Sequence, residues 1–170
     1  MQIDKIKENL NTKLIGKKLY YYKEIDSTND EAKRLLKLGA GEGTVVIASE
    51  QKAGKGRLGR SWLSPKGGLY LSIIIKPHMG AKEILDITLL GSLAAARAIR
   101  GLTKLDARVS WPNDIIIFQK KVGGVLTEIS SSGKGPNSVI VGIGINVNIE
   151  YDKFPKDLVA TSLKIELGQS

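Results

Sequence analysis

Hydrophobic positions change period several times along the chain, and each change predicts an element. Ile3, Ile6 and Leu10 recur at helical spacing among Asp4, Lys5, Lys7 and Glu8, which predicts a short amphipathic helix over residues 1–10. Residues 18–23 hold Leu19 and three tyrosines and predict a strand. Ser27 and Thr28 precede Asn29, Asp30 and Glu31. Ser27 with Asp30, or Thr28 with Glu31, has the spacing of a capping box, so either hydroxyl can start the helix that carries Ala32, Leu35, Leu36 and Leu38. Gly39 is its natural stop. Thr44 to Ser49 predicts a buried strand, and Leu69 to Lys76 predicts the next, across a glycine- and lysine-rich loop from Gln51 to about Gly68. Residues 81–100 are apolar on most faces with Gly91 inside, which predicts a helix packed deep against a sheet. Strands follow over Arg108–Trp111 continued by Ile115–Phe118, over Val122–Ser130 and over Val139–Asn148. Trp111-Pro112-Asn113-Asp114 forms the first turn, and Gln119-Lys120-Lys121 reads as a tight hairpin turn. Strands without helices between them exclude an all-parallel sheet. The pattern predicts an α/β (α+β) domain whose sheet is mixed and mostly antiparallel, with helices packed on one side.

Composition narrows the class. The 170 residues suit one compact domain, and 42% hydrophobic with 25% charged residues excludes a disordered chain. No apolar run approaches the ~20 residues of a membrane span, and the first ten residues read as an amphipathic helix rather than a signal peptide. A cytoplasmic protein is the expectation. No cysteine and one histidine exclude disulfides, thiolate nucleophiles and zinc clusters. His78, in the turn-like run Lys76-Pro77-His78-Met79-Gly80, has no neighbour in sequence to pair with and reads as a solvated loop residue. The net charge of +9 fits an anionic partner or a solvated surface, without choosing between them.

The loop carries the first chemical signal. Gly54-Lys55-Gly56-Arg57-Leu58-Gly59 matches G-x-G-x-x-G, but the dinucleotide reading needs a helix opening straight after the glycines. Arg60-Ser61-Trp62-Leu63-Ser64-Pro65 and Gly67-Gly68 follow instead, and no helix starts there. Lys52, Lys55, Arg57 and Arg60 crowd the loop against a single Glu50. Glycines let backbone N–H groups face a ligand, and arginine forks suit phosphate and carboxylate oxygens. The loop is either an anion-holding segment or a solvated basic one.

Five segments together resemble the biotin protein ligase family. They are Ser27-Thr28-Asn29, the loop Gly54-Lys55-Gly56-Arg57-Leu58-Gly59-Arg60-Ser61-Trp62, Trp111-Pro112-Asn113-Asp114, Lys121-Val122-Gly123-Gly124-Val125-Leu126, and Gly142-Ile143-Gly144-Ile145-Asn146. They stand in the family's order. Lys55 departs from the family's usual arginine, keeping the charge but losing the planar fork.

The resemblance implies a catalytic domain over residues 1–170 of the class II aminoacyl-tRNA-synthetase-like fold, with the small C-terminal β domain of relatives absent or truncated. It also implies a reaction: biotin is activated by ATP, with Mg²⁺ on the phosphates, to biotinyl-5′-AMP. The biotinyl group then passes to a lysine of a biotin carboxyl carrier domain. No DNA or membrane partner is expected, and a homodimer is plausible from relatives. By resemblance, Ser27, Thr28 and Gln51 bond the ureido group, with Gly54, Trp62 and Gly124 also on biotin. Ser27 and Thr28 also read as plain helix caps, and Trp62 as core. Lys121, read otherwise as a surface turn lysine, lies between biotin carboxylate and α-phosphate. Arg57, Lys55 and Arg60 hold phosphates. Asn113, Gly142, Gly144 and Asn146 belong to the adenylate pocket, or to a glycine-rich buried strand. Asp114 orients the acceptor lysine, or serves only its turn. Trp111 reads as core. Lipoate ligation, nucleic-acid binding and a non-catalytic scaffold are the rival functions; cysteine-dependent octanoyl transfer is excluded because there is no cysteine.

Overall fold

A computed structural model describes residues 3–77, 84–130 and 138–168. Helix α1 covers Ile3–Asn9, strand β1 Leu19–Tyr22, helix α2 Thr28–Lys37, strand β2 Val45–Ala48 and strand β3 Gly68–Ile75. Helix α3 covers Ile84–Thr103. Strands β4 (Arg108–Ser110), β5 (Asp114–Ile117), β6 (Lys120–Ser130) and β7 (Ser138–Asn146) follow, and helix α4 is the single turn Leu163–Glu166. The seven strands form one sheet in the order β1-β2-β3-β7-β6-β5-β4. Only β1 and β2 run parallel; all other pairs are antiparallel. The mixed, mostly antiparallel sheet expected from the strand spacing is therefore present. His78 lies outside the described residues.

The expectation of helices on one side is corrected by β7, whose residues alternate between two covered faces. Val139, Val141, Ile143 and Ile145 meet α3 through Ile87, Ala95, Ala96 and Ile99. Ile140 on the opposite face packs with Ala32, Leu35 and Leu36 of α2, together with Val46 and Ile74. The central strands are thus covered on both faces, which is why they read as nearly continuous apolar runs. Helix α2 spaces its buried positions at i, i+3 and i+4. Gly91 brings α3 close: a Cβ there would lie 3.3 Å from Val125 and 3.4 Å from Val141.

Two local expectations also change. The β5–β6 turn is Phe118–Gln119, both with positive φ (47° and 64°), so Lys120 and Lys121 already belong to β6. Paired positive φ values are those of a two-residue turn matched to strand twist. Trp111 is not core but 73% exposed, because the turn joining Ser110 to its partner Asp114 carries it off the sheet.

Ser27 is the N-cap of α2, its oxygen accepting from the Asp30 N–H at 3.4 Å. Glu31 does not close a capping box. It takes two bonds of 2.7 Å from Arg34 and one of 2.5 Å from the Tyr22 hydroxyl, tying α2 to β1. The Arg34 guanidinium first, then the Tyr22 hydroxyl, hold the Glu31 carboxyl below the usual carboxylate range, against the opposing effect of burial. A lowered folded-state value stabilises the fold above about pH 4.3, the unfolded carboxyl's range, and the contribution disappears as pH falls through the folded value. Glu31→Gln should therefore melt below wild type at pH 7, with the gap closing on acidification. Thermal melts at stepped pH check this, and a pH-independent gap would show that charge is not what these bonds contribute.

Candidate active site

The site face of the sheet is the α2 face, and sequence alternation keeps it open. On β7 the residues on that face after Ile140 are Gly142, Gly144 and Asn146; on β6 they are Gly124, Leu126 and Glu128, register partners of Gly144, Gly142 and Ile140. Missing side chains leave a cavity of about 680 Å³, within the range of small-molecule sites. Every candidate residue named from the sequence lines it: Ser27, Thr28, Gln51, Gly54, Lys55, Arg57, Arg60, Trp62, Asn113, Asp114, Lys121, Gly124, Gly142, Gly144 and Asn146.

Lys121 reaches this face through a β-bulge. The β5–β6 register slips between Ile115 and Ile116, so Ile115 pairs with Gly123 and Ile116 with Lys121. Val122 is the extra residue and points into the α3 core. Lys121 and Gly124, three positions apart, consequently share one face. The Lys121 ammonium lies 2.7 Å from Asp114 Oδ1 and 5.2 Å from the Trp62 ring centroid.

The loop between β2 and β3 folds back over the cavity as a small hairpin. Trp62 N–H donates to Gly54 at 2.8 Å, and Gly56 N–H donates to Arg60 at 2.7 Å. A Cβ on Gly54 would run into the Trp62 carbonyl and the Ser64 hydroxyl, so glycine is required where the two arms touch. Leu58 at the tip has φ 55° and is 89% exposed. Two of the basic side chains have partners on other elements: Lys55 Nζ lies 2.6 Å from Asp30, and Arg57 donates to Asn113 Oδ1 at 2.9 Å. Asn113 in turn donates to the Val125 carbonyl at 3.0 Å, which fixes the Pro-Asn-Asp turn on β6.

The small residues of β7 accommodate protein groups. A Cβ on Gly142 would run into the Asn29 amide, and one on Gly144 would lie 2.5 Å from Trp62 Nε1. That nitrogen is buried without a hydrogen-bond partner among the described residues. Asn146 donates to the Thr161 carbonyl at 2.9 Å, fastening the segment whose Thr161 N–H bonds the Lys121 carbonyl. Thr28 sits inside the helix rather than at its cap, and both its N–H and its hydroxyl meet Gln51 Oε1, at 2.8 and 3.0 Å.

Sequence reasoning missed the polar side chains beneath these residues. Ser72 is the only hydroxyl after Tyr70 in β3, and Glu128 the only acidic residue in β6. Polar groups on apolar strands were the available signal.

Residues 21–146 match the biotin/lipoate A/B protein ligase family. The chain belongs to that family. Among curated relatives, the bifunctional ligase/repressor BirA of Bacillus spizizenii is 40% identical over 167 residues, covering 96% of this chain and 51% of the relative. The biotin–[acetyl-CoA-carboxylase] ligase of Paracoccus denitrificans is 39% identical, covering 72% of this chain and 51% of its own length. The chain thus spans about half the length of these relatives. A biotin protein ligase from Aquifex aeolicus, solved in complex with biotin and ATP, superposes with a TM-score of 0.79 at 37% identity, covering 91% of this chain and 62% of that one. The family fold is the class II synthetase-like sheet expected from the motifs.

Two glycine substitutions separate the family's close approach from ordinary helix propensity. Gly142→Ala should cost roughly 1–3 kcal/mol, as overpacked buried sites do. Gly101→Ala, where nothing lies within 4 Å of the added Cβ, should gain up to about 1 kcal/mol by removing a helical glycine. Chemical denaturation of both variants checks the contrast; equal effects would mean that Asn29 yields freely.

Proposed function

We propose that the chain is the catalytic part of an ATP-dependent biotin protein ligase, which forms biotinyl-5′-AMP and transfers the biotinyl group to a lysine of a biotin carboxyl carrier domain. One observation carries the reading: the Lys121 ammonium stands at the wall of a cavity that also carries a polar cluster, buried Ser27 and Thr28 with half-buried Gln51. That combination matches a ligand with a hydrogen-bonding ring at one end and a carboxylate at the other. A lipoyl dithiolane has no hydrogen bonds to offer and would leave buried Ser27 and Thr28 facing an apolar ring, a mismatch that binding sites penalise. The Aquifex relative's complex with biotin and ATP supports the same choice.

In the first step a biotin carboxylate oxygen attacks the α-phosphorus of ATP, and pyrophosphate leaves. Two anions must approach, so positive charge and positioning dominate catalysis. Lys121 stands between carboxylate and α-phosphate. Arg57, Lys55 and Arg60 hold phosphate oxygens, with Lys55 leaving Asp30 and Arg57 leaving Asn113 to do so. Ser27, Thr28 and Gln51 bond the ureido group. Trp62 walls the valeryl tail, and bare Gly54 and Gly124 let the ligand lie close to backbone. Asn113, Gly142, Gly144 and Asn146 border the adenylate. In the second step the acceptor amine attacks the acyl carbon and AMP leaves; Asp114 orients that amine.

Among the described residues no group of three or more His, Cys, Asp or Glu side chains could hold a metal. The residues therefore do not fit a protein-held ion, and Mg²⁺ would arrive on the triphosphate. No described helix is long and apolar enough to cross a membrane. We place the activity in the cytoplasm, with a homodimer formed through an exposed sheet edge.

The test is exchange of labelled pyrophosphate into ATP. Exchange should require biotin and fail with lipoate or octanoate. Lys121→Ala should slow it by about 10²–10³, the cost of a missing transition-state charge partner. Exchange supported by lipoate as well would overturn the biotin assignment, and an undiminished Lys121→Ala rate would remove Lys121 from the chemistry.

A further inference from the structure

A continuous chain of polar contacts runs under the cavity floor from one surface charge to the loop. Lys33 Nζ lies 2.6 Å from Glu128 Oε1, and Asn29 Nδ2 donates to Glu128 Oε2 at 2.6 Å. Ser72 Oγ lies 2.5 Å from Asn29 Oδ1 and 2.8 Å from Thr28 Oγ1. Thr28 Oγ1 lies 3.0 Å from Gln51 Oε1, and Gln51 Nε2 donates to Ser64 Oγ at 2.9 Å. Asn29, Ser72 and Thr28 are all buried, at 3%, 0% and 4% exposure, so no member of this stretch can turn to water instead.

Proton counting gives the chain a direction. A carboxylate only accepts, so the Asn29 amide nitrogen must face Glu128 and its oxygen must face Ser72. Ser72 has one proton for two neighbours. The Asn29 carbonyl cannot donate, and it lies at the shorter distance, so the proton goes there. Thr28 gives its own single proton to Gln51 Oε1, at 3.0 Å. Gln51 Oε1 also takes the Thr28 backbone N–H, at 2.8 Å. Thr28 is left with lone pairs, not a proton, to offer a ligand. Turning the Ser72 proton wholly to Thr28 would leave the Asn29 carbonyl without its donor in a buried place, which is costly.

We infer that Glu128 is a positioning and specificity-determining residue: through Asn29 and Ser72 it holds the Thr28 hydroxyl where its free lone pairs accept from a ligand N–H. A cyclic urea supplies such an N–H. The inference rests on the biotin reading above and adds to it the groups that hold this acceptor in place without touching the ligand.

The experiment measures biotin affinity by titration calorimetry, and separate KM values for biotin and ATP by pyrophosphate exchange, in wild type, Glu128→Leu, Glu128→Gln, Ser72→Ala and the Glu128→Leu/Ser72→Ala double variant. Glu128→Leu and Ser72→Ala should each weaken biotin about ten- to a hundredfold, the range of one or two lost buried hydrogen bonds, with the ATP KM and kcat near wild type. Glu128→Gln should recover most of the affinity, since its amide oxygen can accept from Asn29. The double variant should bind no more weakly than the worse single one, because both cut one chain. Wild-type biotin affinity in Glu128→Leu, additive losses in the double variant, or a parallel fall in kcat and ATP affinity overturns the inference while leaving the biotin reading in place. Should Glu128→Leu fail to fold, Ser72→Ala carries the test: unchanged biotin affinity there overturns it. A wild-type protein that binds no biotin takes both down.

Discussion

The site depends on one constraint of strand geometry: successive side chains leave a strand on opposite faces. In β7 one face carries Val139, Val141, Ile143 and Ile145 into the α3 core. The other carries Ile140 and then Gly142, Gly144 and Asn146. Hydrophobic burial on the first face holds the strand in place while the second is stripped of bulk. A rigid floor and an open cavity therefore come from the same nine residues. Everything that enters the cavity, whether Trp62, Asn29 or a ligand, does so because that face has little of its own to remove.

Charge is organised around the same floor. Lys121, Asp114 and Trp62 make a compact group at one side. Asp30 and Asn113 engage two of the loop's cations, Lys55 and Arg57. These exposed partners are weak ones, since solvent screens them. A phosphate offering two or three charged oxygens competes well against a single exposed carboxylate or amide. The proposed exchange of these partners for phosphate therefore meets no large barrier in the loop's own contacts.

Much of this was legible in the sequence, for identifiable reasons. Alternation and turn residues placed the strands, and the adjacent hydroxyls of Ser27 and Thr28 placed the start of α2 while leaving open which of them caps it. The cavity residues were legible because their spacing matched five motifs; periodicity alone would have left Lys121 in a turn. What escaped was whatever depended on the third dimension. Two-sided covering of the sheet required knowing which face of β7 meets which helix. The exposure of Trp111 followed from the direction of a turn, whereas its size suggested core. The link from Glu128 through Asn29 and Ser72 joins three separate elements, so no local window contains it. Lys55 illustrates a further limit: the charge could be read, but its pairing with Asp30 could not.

The bulge at Val122 has a consequence for how this segment can vary. It acts as a phase shifter: before it Lys121 faces the cavity, and after it Gly124 does, with Val122 and Gly123 turned the other way between them. Substitutions at Val122 that keep an apolar side chain leave the phase intact. Removing Val122 would restore plain alternation, with Lys121 and Gly124 still on the cavity face and only Gly123 between them, and the core would lose the valine that clusters with Ala95 and Ile99. The extra residue thus fills space beneath α3 without disturbing the aim of the lysine, and the length of the segment is set by the core as much as by the site.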